Sequence, residues 1–185
     1  MNKNKVAAGS LIAVLATAFI QYQEGTKNYV YRDPVGIPTW CTGETQITLG
    51  KKIEVGKTYF SDQECAQILE QSLQKYNKPL ETLDYELDQG PHIAFLDFTL
   101  NAGEYRFNHS GMMRNLHQHN IPAACDYLLK YKYAQGYDCS KSSKCAGVWR
   151  RRFDEWQVCT NRISVQDFLL NVGKLPKNSN FEETK

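Results

Sequence analysis

Two carboxylates and one hydroxyl near the N-terminus have the chemical types that could cleave a glycosidic bond. Glu24 ends an apolar run, Asp33 follows nine residues later beside a proline, and Thr39 lies beyond the next turn. In inverting hydrolysis one carboxylic acid protonates the leaving oxygen, while a second group positions the attacking water. The same residues also fit a purely structural role, in which Glu24 ends a helix and Asp33 shapes the turn at Pro34.

A helix and a small hairpin are predicted to position these residues. The run 6–20 is free of charge and carries large apolar residues at helical spacing, so it predicts a helix that ends near Glu24. Gly25 and Gly36 then separate two short runs rich in Tyr, Val and Thr, which indicates a β-hairpin. A helix end beside a hairpin forms a cleft with a proton donor on one wall and room for a water on the other.

Helix signals continue beyond the hairpin. Ser61 and Glu64 form a capping-box pattern, which predicts a helix of about fifteen residues that begins near 62 and ends before Pro79. Residues 46–57 are predicted to form a third strand or a loop. This helix would join an N-terminal lobe to a helical second lobe.

A further helix carries aromatic residues and an arginine triplet. Trp149, Phe153, Trp156 and Cys159 repeat at helical spacing, and we interpret this stripe as core packing rather than a platform for sugars. The arginines at 150–152 cannot all point the same way on a helix. We expect one to brace a core carboxylate and the others to be solvated.

The motifs around the candidate residues resemble those of phage-type lysozymes, glycoside hydrolase family 24. The segment has the pattern Glu-x8-Asp-x5-Thr, with Gly after the Glu and Tyr-x-Asp before the turn. Matching motifs extend the resemblance over about residues 20–160: Gly56-Lys57-Thr58-Tyr59, Asn101-Ala102-Gly103, Arg150-Arg151-Arg152 and Cys159. The resemblance implies that Glu24 is the catalytic acid, Asp33 the water-holding carboxylate and Thr39 its hydroxyl partner.

The expected fold class is α+β and lysozyme-like. A small N-terminal lobe with a short hairpin (about 23–60) would be joined by a long helix (about 62–78) to an all-helical C-terminal lobe (about 80–160). Residues 161–185 would form a partly disordered C-terminal extension.

One position near the candidate site departs from the family pattern. The family often has Gly-His-Thr where this chain has Gly43-Glu44-Thr45. If Glu44 faces the cleft, its charge would raise the pKa of a neighbouring carboxylate. Cys41 lies two residues from Thr39, so its redox state could also bear on the site.

Six cysteines indicate an oxidising compartment. They stand at positions 41, 65, 125, 139, 145 and 159. Zinc is disfavoured because no Cys-x-x-Cys or Cys-x-x-His pair exists, and neither a metal nor a cofactor is predicted. Cys139 and Cys145 enclose a short polar loop, which favours a local bridge. The resemblance implies the pairs Cys41–Cys65 and Cys125–Cys159.

Three interpretations compete for residues 1–22. They are a signal peptide cleaved after Ala18, an ordinary core helix, and an uncleaved signal-arrest-release segment that enters the inner membrane and later leaves it. Cleavage would leave five residues before Glu24, and six cysteines argue against the cytoplasm. A helix over 6–22 is roughly 25 Å long against a hydrocarbon core of about 30 Å. We therefore favour transient membrane association through residues 6–22, followed by release into the periplasm.

The predicted function is that of an endolysin. It would hydrolyse the β-1,4 bond between N-acetylmuramic acid and N-acetylglucosamine in peptidoglycan. The net charge of +2 suits an anionic wall polymer, and the lack of a basic stripe interleaved with aromatics argues against nucleic acid. A monomer is expected. The alternatives are a lytic transglycosylase, which needs one acid and no held water, and a non-catalytic peptidoglycan-binding module.

Overall fold

The computed structural model describes residues 4–7, 10–33 and 36–175. The disorder predicted near the C-terminus concerns residues 176–185, which lie outside the described residues. The helices are α1 Leu11–Glu24, α2 Asp62–Asn77, α3 Gln89–Ala102, α4 Glu104–Asn108, α5 Gly111–His117, α6 Ile121–Leu128, α7 Ala146–Cys159 and α8 Val165–Asn171. The strands are β1 Lys27–Arg32, β2 Pro38–Cys41, β3 Tyr133–Ala134 and β4 Tyr137–Asp138, and short 3₁₀ turns cover Leu80–Thr82 and Ser143–Cys145.

The predicted hairpin is present. Strands β1 and β2 pair antiparallel, with Tyr31 opposite Thr39, and an irregularity interrupts the register between Lys27 and Tyr31. Residues 46–57, predicted to be a strand or a loop, form a loop. Further along, the backbone at Thr58 accepts a hydrogen bond from the Val30 amide at 3.0 Å, which fastens this segment to β1.

Helix α1 packs in the core of the helical lobe. Ser10 caps its start by accepting a hydrogen bond from the Ala13 amide at 3.2 Å. Leu15 and Phe19 are fully buried, and α1 contacts α2, α3 and α8. Among the described residues no helix is long and apolar enough to cross a bilayer.

Helix α2 contacts both strand β2 and the central helix α3. The capping box between Ser61 and Glu64 is confirmed, and α2 ends at Asn77, two residues before Pro79. Helix α3 is buried along most of its length and is capped at its C-terminal end by Gly103, whose φ of 91° suits a residue without a side chain. The fold therefore has a helical core around α3 and a smaller apolar cluster between the hairpin and α2.

Helix α7 turns a different face to the core from the one that the sequence predicted. Phe153 is 39% exposed, and its ring neighbours Trp149 and Trp156 are only partly buried. The buried side instead carries four charged residues together with Val158 and Cys159: Arg151, Arg152, Asp154 and Glu155. The core-packing prediction for the aromatic stripe is thus wrong, except at Cys159. Charged groups that pair with one another can occupy an interior position.

Three disulfides link the elements as predicted. Cys41–Cys65 joins β2 to α2, Cys125–Cys159 joins α6 to α7, and Cys139–Cys145 closes a short loop after β4. The first two close loops of 24 and 34 residues and so restrict the unfolded chain more than the third does.

Candidate active site

Glu24 is the last residue of α1, and its side chain is held at the helix end by two partners. Gly25 follows with φ of 68°, which turns the chain toward the hairpin. Although the backbone here is open to solvent, the Glu24 side chain is only 23% exposed. Its Oε1 accepts a hydrogen bond from Arg151 Nη1 and a longer one, 3.4 Å, from Asn101 Nδ2.

Arg151 connects Glu24 to a fully buried carboxylate. Its Nε and Nη2 donate to the two carboxylate oxygens of Asp97 at 2.9 and 2.7 Å, while Nη1 binds Glu24. Burial disfavours the charged guanidinium, but the carboxylates of Asp97 and Glu24 outweigh it and raise the pKa of Arg151. The guanidinium is therefore a permanent cation between two acids.

A second layer orients Asn101. Arg152 Nη2 donates to Asn101 Oδ1 at 3.0 Å, which leaves the amide nitrogen of Asn101 to point at Glu24. Arg152 also donates to Glu155 at 2.6 Å, and complete burial raises the pKa of Glu155 well above its usual range. The prediction of one core arginine in the triplet is wrong, because both Arg151 and Arg152 are buried and Arg150 is exposed.

The hairpin holds Asp33 and Thr39 through the backbone of one residue. Asp33 Oδ1 accepts a hydrogen bond from the Ile37 amide at 2.8 Å. The Thr39 hydroxyl donates to the Ile37 carbonyl at 3.0 Å, and Thr39 is buried, with 4% of its surface exposed. The backbone of Ile37 therefore anchors both the Asp33 carboxylate and the Thr39 hydroxyl.

The Tyr31 phenol interacts electrostatically with both candidate carboxylates. Burial, the charge of Glu24 and the charge of Asp33, in that order, raise the pKa of its phenol. Both carboxylates thus lie within electrostatic range of one ring. Tyr31 belongs to the Tyr-x-Asp motif, but no sequence pattern predicts a separate role for it, for Asn101 or for Asp97. Their places in the site depend on contacts between segments far apart in the chain.

Glu44 fastens the hairpin to α2. Its Oε1 accepts from the amides of Thr45 and Gln46 at 2.7 Å each, and its Oε2 accepts from the Ser72 hydroxyl at 2.6 Å. Glu44 is 8% exposed and lines a small cavity of about 30 Å³ between the lobes. Each oxygen has a structural partner, so this residue has an anchoring role.

Gly43 and Cys41 are the other hairpin residues close to the site. A Cβ added at Gly43 would lie 3.5 Å from Glu24 Oε2, so the chain passes close to the acid at this point. Cys41 is bonded to Cys65 and has φ of 50°, a left-handed conformation for a residue with a side chain. The disulfide therefore fixes the end of the strand that carries Thr39.

Two clefts run along the N-terminal half of α7. One, of about 330 Å³, is lined by Tyr22, Gln23, Asn101, Gly147, Val148, Arg150 and Arg151. The other, of about 390 Å³, shares Asn101 and Val148 and extends to Tyr131 and Tyr133. Both reach residues that contact Glu24 or its partners, whereas Asp33 and Thr39 do not line them. Within the described part of the chain, no group of three or more metal-ligating side chains occurs.

A two-lobed α+β fold with a glutamate at a helix end beside a hairpin that carries an aspartate and a threonine is the arrangement of a lysozyme-type glycoside hydrolase. The model of the family described as Phage lysozyme matches residues 21–155. The chain therefore belongs to the phage lysozyme family, which confirms the resemblance and the expected fold class.

Individual relatives agree with this assignment. The chain is 33% identical over 140 residues to the SAR-endolysin of Enterobacteria phage PA-2, covering 74% of this chain and 76% of that one. It is 31% identical over 137 residues to the SAR-endolysin of Bacteriophage PS119, covering 74% and 75%. The crystal structure of a P22 lysozyme mutant matches with a TM-score of 0.67 at 23% identity, covering 85% of this chain and 99% of that chain.

Proposed function

We propose that this protein is an exported endolysin that hydrolyses the β-1,4 bond between N-acetylmuramic acid and N-acetylglucosamine and so lyses the host cell. Family membership supports glycoside hydrolysis, and the names of the relatives support a role in lysis. The observation that carries the proposal is the placement of Glu24 at a helix end, beside the hairpin with Asp33 and Thr39.

Glu24 is proposed to be the general acid. Its side chain would donate a proton to the leaving oxygen of a bound sugar. Once the proton has left, Arg151 stabilises the carboxylate that remains. Because Asp97 balances the charge of Arg151 throughout, the guanidinium does not become an unpaired buried cation when Glu24 is neutral.

Asp33 and Thr39 are proposed to position the attacking water. Thr39 donates its hydroxyl hydrogen to the Ile37 carbonyl, so it meets a water as an acceptor. Asp33, as the ionised carboxylate, steadies the positive charge of the oxocarbenium-like transition state and takes a proton from the water. This mechanism requires roughly 6.5–9.5 Å between the two carboxyl groups and inverts the anomeric carbon.

Product analysis tests the chemistry. Peptidoglycan digested by the purified protein should yield reducing ends of inverted configuration in the first minutes, seen by proton NMR before mutarotation. A lytic transglycosylase would leave 1,6-anhydro ends, which mass spectrometry detects as the loss of one water. A binding module would release no fragments. Either of the last two results would contradict the proposal.

Export is proposed to use residues 6–22 as a segment that enters the inner membrane transiently and is not cleaved. Three disulfides fit the periplasm. Cleavage after Ala18 would also remove Leu15 and Ala16, which are fully buried, and most of the helix that ends at Glu24. The mass of the mature, active protein provides the test, since a chain beginning at Phe19 would contradict this proposal. A monomer remains the expected state, and sedimentation of the released protein measures it.

A further inference from the structure

Asn4 is buried in the helical lobe although it precedes the first helix. Only 1% of its surface is exposed, whereas its neighbour Lys5 is exposed. The side-chain amide nitrogen of Asn4 donates to the carbonyls of Leu80 and Tyr85 at 3.2 and 2.7 Å. Its amide oxygen accepts from the Leu87 N–H at 2.8 Å. The side chain of Asn4 is therefore satisfied by the backbone of residues 80–87.

The main chain of Asn4 is bound from a second side. Asn77 donates from Nδ2 to the Asn4 carbonyl at 2.6 Å, and its Oδ1 lies 2.7 Å from His92 Nε2. Since the Asn77 nitrogen is the donor to Asn4, its oxygen must accept from His92, which fixes the hydrogen on Nε2. Burial lowers the pKa of His92 to about 4, so the ring is neutral near pH 7. We call the group formed by Asn77, Leu80, Tyr85, Leu87 and His92 the Asn4 socket.

The socket is selective for a primary amide. Two carbonyls need donors and one backbone N–H needs an acceptor, and an asparagine side chain supplies both. An apolar residue at position 4 would leave buried polar groups unpaired, which weakens such an association by about tenfold or more. Val6, 4% exposed, adds apolar contact on the same side of the segment.

We infer that the Asn4 socket is a latch that captures the N-terminal segment when it leaves the membrane and prevents its return. The inference rests on the proposed export role of residues 6–22. While those residues lie in a bilayer, the buried face of α1 is in lipid and Asn4 cannot reach a socket inside the folded lobe. Membrane insertion and socket binding therefore exclude one another, and each hydrogen bond in the socket favours the released state.

The test compares full-length N4A with K5R, a control that changes the exposed neighbouring position but keeps the positive charge beside the membrane segment. Both are produced in bacteria, and the ratio of membrane-bound to soluble periplasmic protein is followed over time. N4A should raise the ratio about tenfold and delay lysis. K5R should match the wild type. Soluble N4A, once purified, should digest peptidoglycan at a rate close to that of the wild type.

A socket-side variant distinguishes a latch from a general loss of stability. N77A should shift the partition as N4A does, and the double variant should shift it no further, because both residues act through one interaction. If N4A lowers the melting temperature of the soluble protein but leaves the partition unchanged, the latch is refuted. A wild-type protein that never enters the membrane fraction would refute it as well. A partition shift in a protein without hydrolytic activity would support the latch while contradicting the proposed chemistry.

Discussion

The two walls of the proposed cleft are held in place by different physical means. On the helical wall, Glu24 is bound by Arg151, whose other nitrogens bind the fully buried Asp97. On the hairpin wall, Asp33 and Thr39 are held by hydrogen bonds to the backbone of Ile37, four and two residues away. One wall depends on paired buried charges and the other on local turn geometry.

This difference predicts which properties each wall controls. Removing one member of a buried ion pair leaves an uncompensated charge and costs about 3–5 kcal/mol of stability. A hydrogen bond to the backbone within a turn contributes about 1–2 kcal/mol. Changes behind the helical wall should therefore alter stability together with activity, whereas changes on the hairpin wall should alter activity alone.

The largest effect is expected from Glu24→Gln. The amide still accepts a hydrogen bond from Arg151 but cannot donate a catalytic proton, so kcat should fall by about 10³-fold or more. The melting temperature should change little, because Asp97 still pairs with Arg151. Turbidity of a peptidoglycan suspension and thermal unfolding by circular dichroism measure the two quantities. A variant that keeps a tenth of the activity would contradict the role of Glu24 as the acid.

The second-largest effect is expected from Asp97→Asn, which tests how the helical wall is held in place. Loss of the charge behind Arg151 should lower the free energy of unfolding by about 3 kcal/mol and also reduce kcat, since the cation that supports Glu24 loses its anchor. Urea unfolding and the pH profile of kcat provide the readouts.

Asp154→Asn, on the buried side of α7, is the control for this variant. Burial raises the pKa of Asp154, so neutralising it should cost much less stability. Equal destabilisation by the two variants would show that Asp97 has no special role.

Asp33→Asn should reduce kcat by about 10²-fold without a matching loss of stability. The amide oxygen can still accept from the Ile37 N–H, but it cannot take a proton from water. Stability within about 0.5 kcal/mol of the wild type is expected, as for most changes away from buried networks. If this variant unfolds as easily as Asp97→Asn, the proposed difference between the walls is wrong.

Lowering the pH should destabilise the helical lobe before it destabilises the hairpin. Burial lowers the pKa of His92 to about 4 from the ordinary 6.5, so the folded state binds fewer protons than the unfolded state between these values. Stability is therefore kept above pH 6.5 and declines as the pH falls toward 4, by about 2 kcal/mol at pH 5. Hydrogen exchange at pH 5 and pH 7.5 should show protection lost mainly around α2 and α3.

His92→Gln provides the control for this acid effect. Glutamine has no ionisable group, so this variant should show a much smaller difference in stability between pH 5 and pH 7.5. An unchanged pH dependence in His92→Gln would assign the acid effect to other groups.

Sequence patterns among residues close together in the chain predicted much of the fold. The capping box at Ser61 and Glu64 fixed the start of α2, because both partners lie within one helical turn. The hairpin followed from glycines between short β-prone runs, and the local bridge Cys139–Cys145 from a short enclosed loop. The roles of Glu24, Asp33 and Thr39 came from family resemblance, and they remain predictions until the variants are measured.

The sequence by itself determined the chemical types of the candidate residues, the helix that ends at Glu24 and the turn that presents Asp33. Only the tertiary structure decided that Arg151, 127 positions away, would bind Glu24, and that Asp97 would bind Arg151. It also decided that the aromatic stripe of α7 would face outward. Periodicity identifies the faces of a helix, but which face is buried depends on the partners that the rest of the chain supplies. Paired charges from distant segments made the polar face of α7 the interior one.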